Sequence, residues 1–437
     1  MNSTNNIRYA VLQPLSGGMY FGAEEAIGHP AEFIISYPGF DAPKYDKTGK
    51  LIDAGNEYNL IKYLEKHNRM VPYYQFDRAP FQDDVDAEVQ LLKEGVKSPQ
   101  PDYSNMDLVV AVPVCSGLSA ATRANEETLD SRNCNMIFLT KYTLGTIKPK
   151  IYIFENAPRL TNMSKLSTSV RARLESIARE FEYRVAYYRT DTQLHDNCQR
   201  RPRTFVVFFN KEVASNGVPQ FGFEHKHISV EELLSRIPKT DNDPMGVELE
   251  QSFTNVTIMK YIKSLYGDNW RSKISSPTLL CDMINNDKLD DFIKFTENDE
   301  NLNEDQKKRL IHSINHIKGK LADGKSFYTM SPLYMKNDTM PACIFKTIPA
   351  CIHYKEDRLY TLREWLTSMG MPYDFEMYGD LKRVFPKIGQ NVPVRTAKFI
   401  VSEAIKALTD KDVQRVHEDG AILFDNITQT TKSLSSM

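Results

Sequence analysis

Short apolar runs alternate with longer amphipathic stretches over the first half of the chain. Runs of this length that are rich in β-branched residues predict buried strands of a parallel sheet. Such strands are predicted over residues 7–12, 32–35, 71–76, 107–112, 151–154 and 204–209, with helices over 23–27, 136–145 and 167–181. The alternation predicts an α/β fold, a sheet with helices on both faces.

The pattern changes near residue 210 and returns near residue 341. Residues 247–266 and 305–317 have helical spacing, whereas 287–305 is acidic and is predicted to be a loop. Residues 211–325 hold 16 Lys and Arg against 19 Asp and Glu, a net charge of −3. We therefore predict an inserted, largely helical smaller domain at 211–340, between a first segment 1–210 and a return segment 341–426 that ends in a helix at 395–408. The polar residues 427–437 are predicted to form a flexible tail.

Overall charge and cysteine usage restrict the class of protein. The net charge of −2 gives no general attraction to nucleic acid or to anionic membranes, so any such binding needs a local patch. The six cysteines form no C-x-x-C pair and no zinc spacing, which is typical of reduced thiols, and no metal site is predicted. With no signal peptide and no bilayer-spanning apolar run, we expect a cytoplasmic monomer without a membrane partner.

A thiol and a carboxylate are predicted to meet at one edge of this sheet. Cys115 follows strand 107–112 and Pro113, while Glu155 follows strand 151–154. Parallel strands place their carboxyl ends at the same edge, where open α/β sheets bind their ligands. A lone cysteine is usually structural, but the neighbouring carboxylate and the arginines of 199–203 favour a reactive site.

A glycine turn follows the first predicted strand. Gly17 and Gly18 lie between strand 7–12 and the helix predicted at 23–27. Glycines let the backbone approach a ligand, and a helix N-terminus favours anionic groups. A strand, glycine turn and helix in this order is typical of nucleotide-type cofactor sites, although a Gly-Gly pair by itself often marks only a turn.

Six short motifs follow one another along the chain. They are Pro113-Val114-Cys115-Ser116-Gly117-Leu118-Ser119, Asp130-Ser131-Arg132, Glu155-Asn156-Ala157-Pro158, Gln199-Arg200-Arg201-Pro202-Arg203, the stretch 358–372 with Thr361, Arg363 and Glu364, and Ile388-Gly389-Gln390-Asn391-Val392-Pro393. In this order they resemble the P-P-C-Q-x-F-S, D-S-R, E-N-V, Q-x-R-x-R, R-x-x-T-x-R-E and I-G-N-x-V-P motifs of the DNA (cytosine-5) methyltransferase family, in a divergent form of phage or bacterial type. The resemblance covers residues 1–210 and 340–410.

The resemblance implies a Rossmann-like methyltransferase sheet and a set of catalytic roles. Cys115 is implied to add to C6 of a flipped cytosine in DNA, which makes C5 reactive. Glu155 is implied to bind N3 and the exocyclic amine, and Arg201 to contact O2, with Arg203 and Gln199 in support. The loop 116–132 is implied to close over the base. Residues 211–340 fall where the family carries its target-recognition domain.

The cofactor implied by the resemblance is S-adenosylmethionine. The residues expected to bind it are Gly17, Gly18, Asp77, Pro113, Asn391 and Val392. The family's F-x-G-x-G-G is replaced by Gln13-Pro14-Leu15-Ser16-Gly17-Gly18, which lacks the aromatic and the first glycine. The acidic residue expected after the second strand has no clear match. Three alternatives stay open: a variant of S-adenosylmethionine or another one-carbon donor, an RNA or nucleotide substrate, or a non-catalytic nucleic-acid-binding relative.

Overall fold

The computed structural model describes most of the chain in two compact units. The described residues are 6–36, 44–76, 100–113, 118, 133–222, 225–238, 242–249, 251–274, 279–324, 333–334, 340, 351–409, 413–418 and 420–424. One unit comprises residues 1–228 and 366–437, and the other comprises 229–365. The predicted nucleophile Cys115, the residue Asp77 and the tail 427–437 lie outside the described residues.

An eight-stranded sheet is the centre of the first unit within the described residues. In chain order its strands are β1 (Tyr9–Leu12), β2 (Phe33–Ser36), β3 (Tyr73–Gln75), β4 (Leu108–Ala111), β5 (Ile151–Asn156), β6 (Tyr183–Asp191), β7 (Pro202–Asn210) and β8 (Ala421–Phe424). Across the sheet the order is β8-β6-β7-β5-β4-β1-β2-β3. Strands β5, β4, β1, β2 and β3 are parallel, while β7 runs antiparallel between β5 and β6. The predicted α/β class is confirmed, with one antiparallel strand added.

Both faces of this sheet are buried, as its apolar strands predict. Ala10 and Leu12 pack into one core cluster with residues of helices Cys134–Tyr142 and Lys165–Glu180. Tyr9 and Val11 point to the opposite face, because side chains alternate along a strand, and they are also fully buried. Near-continuous apolar strands are typical of sheets that helices cover on both sides.

The remaining helices of this unit surround the glycine turn. They are Gly18–Ile27, Asn56–Lys66, Leu381–Gln390 and Val394–Thr409, and a π-helical turn, Thr143–Ile147, extends the helix Cys134–Tyr142. The first and last helices pack closely, since a Cβ at Gly22 would lie 2.4 Å from that of Ala397. Helix Leu381–Gln390 was not predicted, because the interior Pro386 argues against a helix. The buried side chains of Val384, Phe385 and Ile388 form the apolar face that overrides this preference.

Shorter elements complete the first unit. Two-stranded pairs join Lys44–Tyr45 to Leu51–Asp53, Val218–Pro219 to Arg415–Val416, and His195–Asn197 to Lys226–His227, and short 3₁₀ turns cover Pro158–Thr161 and Thr192–Leu194. The four cysteines that the structure describes, Cys134, Cys198, Cys281 and Cys351, are free thiols.

The second unit is largely helical in its described part. Its helices are Val230–Ser235, Phe253–Tyr266, Trp270–Lys273, Leu279–Asn285, Leu289–Asn298 and Glu304–Ala322, with a 3₁₀ turn at Gly267–Asn269, a short strand pair Leu333–Tyr334 and Cys351–Ile352, and the start of helix Leu362–Ser368. Residues 287–305 were predicted to be a loop, and this prediction is wrong for the helix Leu289–Asn298. Leu289, Phe292 and Thr296 give this acidic segment one buried helical face. None of the described helices is long and apolar enough to cross a membrane.

Within the motif stretch 358–372, a helix begins at Leu362 and ends at Ser368. Thr361 and Glu364 form a reciprocal cap: the Glu364 N–H donates to Thr361 Oγ1 at 3.2 Å, and the Thr361 N–H donates to Glu364 Oε2 at 2.7 Å. Arg358 donates two hydrogen bonds of 2.8 Å to the Glu364 carboxylate. The motif residues therefore fix the start of the helix and the segment before it.

Candidate active site

The carboxyl ends of three parallel strands define the edge where the predicted motifs meet. Leu12 of β1 pairs with Ala111 of β4, and Ala111 pairs with Phe154 of β5. Glu155 follows Phe154 directly, and Pro113 lies two residues beyond Ala111 and is buried. The strands that lead to the thiol and the carboxylate are thus neighbours, as predicted.

Glu155 forms an ion pair with an arginine of the adjacent strand. The Nε of Arg203 lies 2.5 Å from Glu155 Oε1, and the two side chains are 14% and 4% exposed. Antiparallel pairing sets Glu155 opposite Phe205, and Arg203 is two residues away on the same strand face. Strand β7 begins earlier than predicted, so Arg203 lies inside the strand rather than in the segment before it.

Burial changes the protonation of this carboxyl group. Loss of solvation raises the pKa of Glu155 above its usual range, and the charges of Arg203 and Arg201 only partly oppose that shift. A raised pKa increases the fraction of the protonated carboxyl. Glu155 can therefore donate a hydrogen bond to a ring nitrogen as well as accept one from an amine.

Arg201 is fully buried and makes contacts of another kind. Its Nη2 donates to the carbonyl oxygens of Gly389 at 2.6 Å and Asn391 at 2.8 Å. Its backbone N–H donates to Asp191 Oδ1 at 2.7 Å. Arg203 therefore contacts Glu155. The Arg201 guanidinium instead holds the segment between β6 and β7 to the segment that precedes the last helix.

Gln199 is also buried and faces the end of helix Leu362–Ser368. Its Nε2 donates to Ser368 Oγ at 2.8 Å, and its backbone N–H donates to Asn197 Oδ1 at 2.9 Å. Asn197 in turn donates from Nδ2 to the Ser368 carbonyl at 2.7 Å. The Gln199 amide thus fixes the segment that precedes Arg201 and Arg203.

Four predicted cofactor residues lie together at the glycine turn. Gly17 has a positive φ of 98°, and Gly18 starts the helix Gly18–Ile27. The Gly18 N–H donates to Asn391 Oδ1 at 2.9 Å. A Cβ at position 18 would lie 1.8 Å from the Val392 carbonyl oxygen, so only glycine allows this approach.

The turn has features that fit a nucleotide-type cofactor. The first turn of helix Gly18–Ile27 carries no acidic side chain, so no side-chain charge there offsets its positive N-terminal dipole. Gln13 is fully buried, and neither atom of its side-chain amide has a hydrogen-bond partner in the part of the chain that the structure describes. Gln13 stands where the resemblance expects an aromatic residue. Helix terminus and buried amide together fit a ligand that is both anionic and polar.

One buried carboxylate near this edge was missed by sequence reasoning. Glu57, in the first turn of helix Asn56–Lys66, accepts hydrogen bonds from Ser36 Oγ at the end of β2 and from Tyr73 Oη at 2.6 Å. The only signal in the sequence is an acidic residue just after Gly55, where a helix starts. Nothing in the spacing relates it to a strand that ended 21 residues earlier.

Known proteins resemble both the sequence and the fold. A model of the C-5 cytosine-specific DNA methylase family matches residues 58–406. DNA (cytosine-5)-methyltransferase 3 of Arabidopsis thaliana is 21% identical over 425 residues, covering 86% of this chain and 29% of that protein. The chain thus spans less than a third of that relative.

Two solved structures share the fold at low sequence identity. One is described as a DNA modification methyltransferase encoded within an E. coli prophage, with a TM-score of 0.51, 13% identity, and coverage of 93% of this chain and 100% of that one. The other is a methyltransferase of Entamoeba histolytica, with a TM-score of 0.50, 10% identity, and coverage of 93% and 99%. Because the family model extends over most of its length, this chain belongs to the C-5 cytosine-specific DNA methylase family.

Proposed function

We propose that this chain transfers a methyl group from S-adenosylmethionine to C5 of cytosine in DNA. The observation that carries the proposal is the buried ion pair in which Arg203 Nε lies 2.5 Å from Glu155 Oε1. The strand that holds Glu155 pairs directly with the strand that leads to Cys115. Membership of the family supports the same reaction and the same substrate.

The chemistry assigns a distinct task to each residue of this group. The Cys115 thiolate forms a bond from Sγ to C6 of cytosine, which moves electron density onto N3 and O2 and makes C5 nucleophilic. The protonated Glu155 donates to N3, and Arg203 donates to O2, where the charge develops. When bound, S-adenosylmethionine supplies the methyl group. A general base then removes the C5 proton, and the Sγ–C6 bond breaks to restore the thiolate.

We assign Arg201 and Gln199 positioning roles rather than contacts with the base. Arg201 donates to the carbonyls of Gly389 and Asn391, and Gln199 donates to Ser368. These bonds hold the start of β7 against the return segment. They orient Arg203, which makes the O2 contact that the resemblance had suggested for Arg201.

The donor would be held at the glycine turn. Gly17 and Gly18 bring the backbone and the helix N-terminus toward it, and Asn391 and Val392 fix that turn from the return segment. We retain Asp77 and Pro113 as further contacts on the basis of the resemblance. The unpartnered amide of Gln13 favours one alternative, a variant donor that carries an additional polar group.

The target base has to leave the duplex to reach these residues. We propose that the loop 116–132 closes over it and that residues 211–340 serve as the target-recognition region. Because this region carries more acidic than basic residues, its DNA affinity should depend less on salt than that of a strongly basic binder.

The test is covalent trapping on DNA. A long mixed-sequence duplex containing 5-fluorocytosine, incubated with the protein and S-adenosylmethionine, should give an adduct that survives denaturing electrophoresis, because fluorine cannot leave as a proton. Cys115→Ser should form no adduct and no product, since a hydroxyl is a much weaker nucleophile. Cys281→Ser, which alters a half-buried free thiol of the second unit, is the matched control. Near wild-type turnover by Cys115→Ser would refute the covalent mechanism.

A further inference from the structure

A short turn that follows β5 presents a methionine to solvent. The 3₁₀ turn Pro158–Thr161 comes after the strand, and residues 162–164 lead from it into the helix Lys165–Glu180. Met163 is 84% exposed, a larger fraction than for any other exposed large apolar residue that the structure describes. Single exposed apolar side chains are common on protein surfaces. The case for a role of Met163 therefore depends on how its backbone is held and on what lies beside it.

Arg171 fixes the turn from the helix that follows it. Arg171 is 8% exposed, and its Nη1 donates to the carbonyl oxygens of Leu160 at 2.6 Å and Asn162 at 2.8 Å. Its Nη2 lies 3.9 Å from Met163 Sδ. Burying a guanidinium is costly unless it is hydrogen-bonded, and here the backbone of the turn supplies the acceptors. The chain thus buries a charge in order to hold an exposed turn in one conformation.

Ser167 holds the other side of the turn. Its Oγ donates to the Arg159 carbonyl at 2.6 Å. Its backbone N–H donates at 3.3 Å to Ser164 Oγ, the N-cap of the helix. Leu160, inside the turn, is fully buried. Because the backbone is held from both sides, Met163 loses little conformational freedom when it meets a partner.

The position and the charge of the turn favour DNA as that partner. The turn comes after β5, whose last two residues are Glu155 and Asn156, so it lies at the edge of the sheet that holds the ion pair of Glu155. Residues 156–174 contain four Lys and Arg residues and no Asp or Glu. Among them Lys165 is exposed beside Met163. An apolar side chain with positive neighbours is complementary to a duplex, in which phosphates flank the bases.

We propose that Met163 is an apolar wedge that enters the duplex beside the target cytosine, with Lys165 next to a phosphate. This inference rests on the proposed function, since it takes duplex DNA as the substrate. A base that leaves the stack exposes the apolar faces of its neighbours. Apolar side chains, methionine among them, insert between base steps in proteins that kink DNA. Met163 covers the exposed faces and stabilises the duplex from which the base has left.

The test measures DNA binding and base unstacking with the full chain. The probe is a short duplex centred on a cytosine that wild type methylates, with 2-aminopurine, a base whose fluorescence rises on unstacking, beside that cytosine. Met163→Ala should bind it about tenfold or more weakly, the loss expected for one buried methionine side chain, and should give a smaller rise in fluorescence. Met163→Leu should behave as wild type, because it keeps an apolar side chain of similar size.

Met70→Ala is the control for removing an exposed methionine. Met70 is 48% exposed and lies just before β3, at the opposite edge of the same sheet. This variant should bind the duplex and unstack the probe as wild type does. Both positions are exposed, so all three variants should keep the melting temperature of wild type.

Lys165 has a separate readout. Lys165→Gln should reduce the slope of log Kd against log salt concentration by about one. Met163→Ala should leave the slope unchanged, because it removes no charge. An unchanged slope in Lys165→Gln would overturn the phosphate contact.

The remaining outcomes separate the wedge from the proposed function. Wild-type affinity and fluorescence in Met163→Ala, or an equal loss in Met70→Ala, would overturn the wedge and leave the methyl-transfer proposal in place. A Met163→Leu protein as impaired as Met163→Ala would also overturn it, because an apolar contact survives that change. A wild-type protein that methylates no duplex DNA would refute the proposed function, and this inference with it.

Discussion

Replacing Arg203 by methionine should reveal how the buried pair controls the ionisation of Glu155. The variant removes the guanidinium 2.5 Å from Glu155 Oε1 and leaves an apolar side chain of similar length. Breaking a buried pair by removing one partner costs about 3–5 kcal/mol, because the remaining charge has no counterion. Arg203 is slightly exposed, so we expect a loss of about 3 kcal/mol in the free energy of unfolding at pH 8.

The difference in unfolding free energy between wild type and Arg203→Met should increase with pH. Burial already raises the pKa of Glu155, and a raised carboxyl pKa contributes stability at low pH that is lost as the pH rises through the folded-state value. Without Arg203 the pKa should rise further. Wild type and variant should therefore differ least at a pH below the pKa of Glu155 in both proteins, where both carboxyls are protonated. The difference should grow above the wild-type pKa by at most about 1.4 kcal/mol per pH unit.

Urea unfolding of both proteins between pH 5 and pH 8 is the assay. Arg200→Met, in an exposed residue of the same arginine run, is the matched control and should change little. In a Glu155→Gln background, the change in unfolding free energy caused by Arg203→Met should not vary with pH, because no titrating carboxyl is left in the pair. A constant difference at all pH values, or one below about 1 kcal/mol at pH 8, would show that Arg203 acts only by packing.

Two further substitutions test the glycine turn and the second unit. Gly18→Ala should lower the melting temperature and weaken S-adenosylhomocysteine binding, because its Cβ would lie 1.8 Å from the Val392 carbonyl oxygen and overpacking costs about 1–3 kcal/mol or more. The control is Gly319→Ala, whose Cβ would meet nothing within 4 Å and which should be neutral or stabilising. A Gly18→Ala protein with unchanged melting temperature and binding would contradict the contact. Arg363→Gln should destabilise the second unit by about 3 kcal/mol near neutral pH, since its guanidinium donates to both oxygens of Asp243 at 2.7 and 2.9 Å. That bond lowers the pKa of Asp243, so the loss should shrink as the pH falls below about 4, as limited proteolysis of the unit can check.

The arginine that faces Glu155 could not be chosen from the sequence. Arg201 and Arg203 are separated by two positions, so strand alternation places both on the same face, and either could contact the Glu155 carboxylate. The decision depends on where β7 begins, and the structure begins it at Pro202. That start depends on pairing with Tyr183–Asp191, a strand that sequence reasoning missed because charged residues such as Arg184 and Arg189 interrupt its apolar run.

Strand positions were predicted well where apolar runs were continuous. Contacts between segments that are distant in the sequence were not predicted. Strands β4 and β5 lie within one or two residues of their predicted bounds, because fully buried strands leave an unbroken β-branched run. The contact between Glu57 and Ser36 is set by how helix Asn56–Lys66 packs on the sheet, which no local pattern specifies. The acidic helix Leu289–Asn298 was missed for a related reason, since its buried face, formed by Leu289, Phe292 and Thr296, outweighs its charges only once it is packed.

The glycine turn explains which residues of the cofactor motif can change. The resemblance expects a glycine at position 15, and Leu15 keeps a left-handed φ of 53° there. A left-handed residue other than glycine costs about 1–2 kcal/mol, and burial of a leucine contributes about 1.5–3 kcal/mol, which offsets that cost. At Gly18 no such exchange is possible, because the Val392 carbonyl occupies the space of a Cβ. The motif therefore changes where a side chain has room to pack and keeps glycine where the backbone of the return segment approaches, so loss of motif residues at 13 and 15 does not remove the turn.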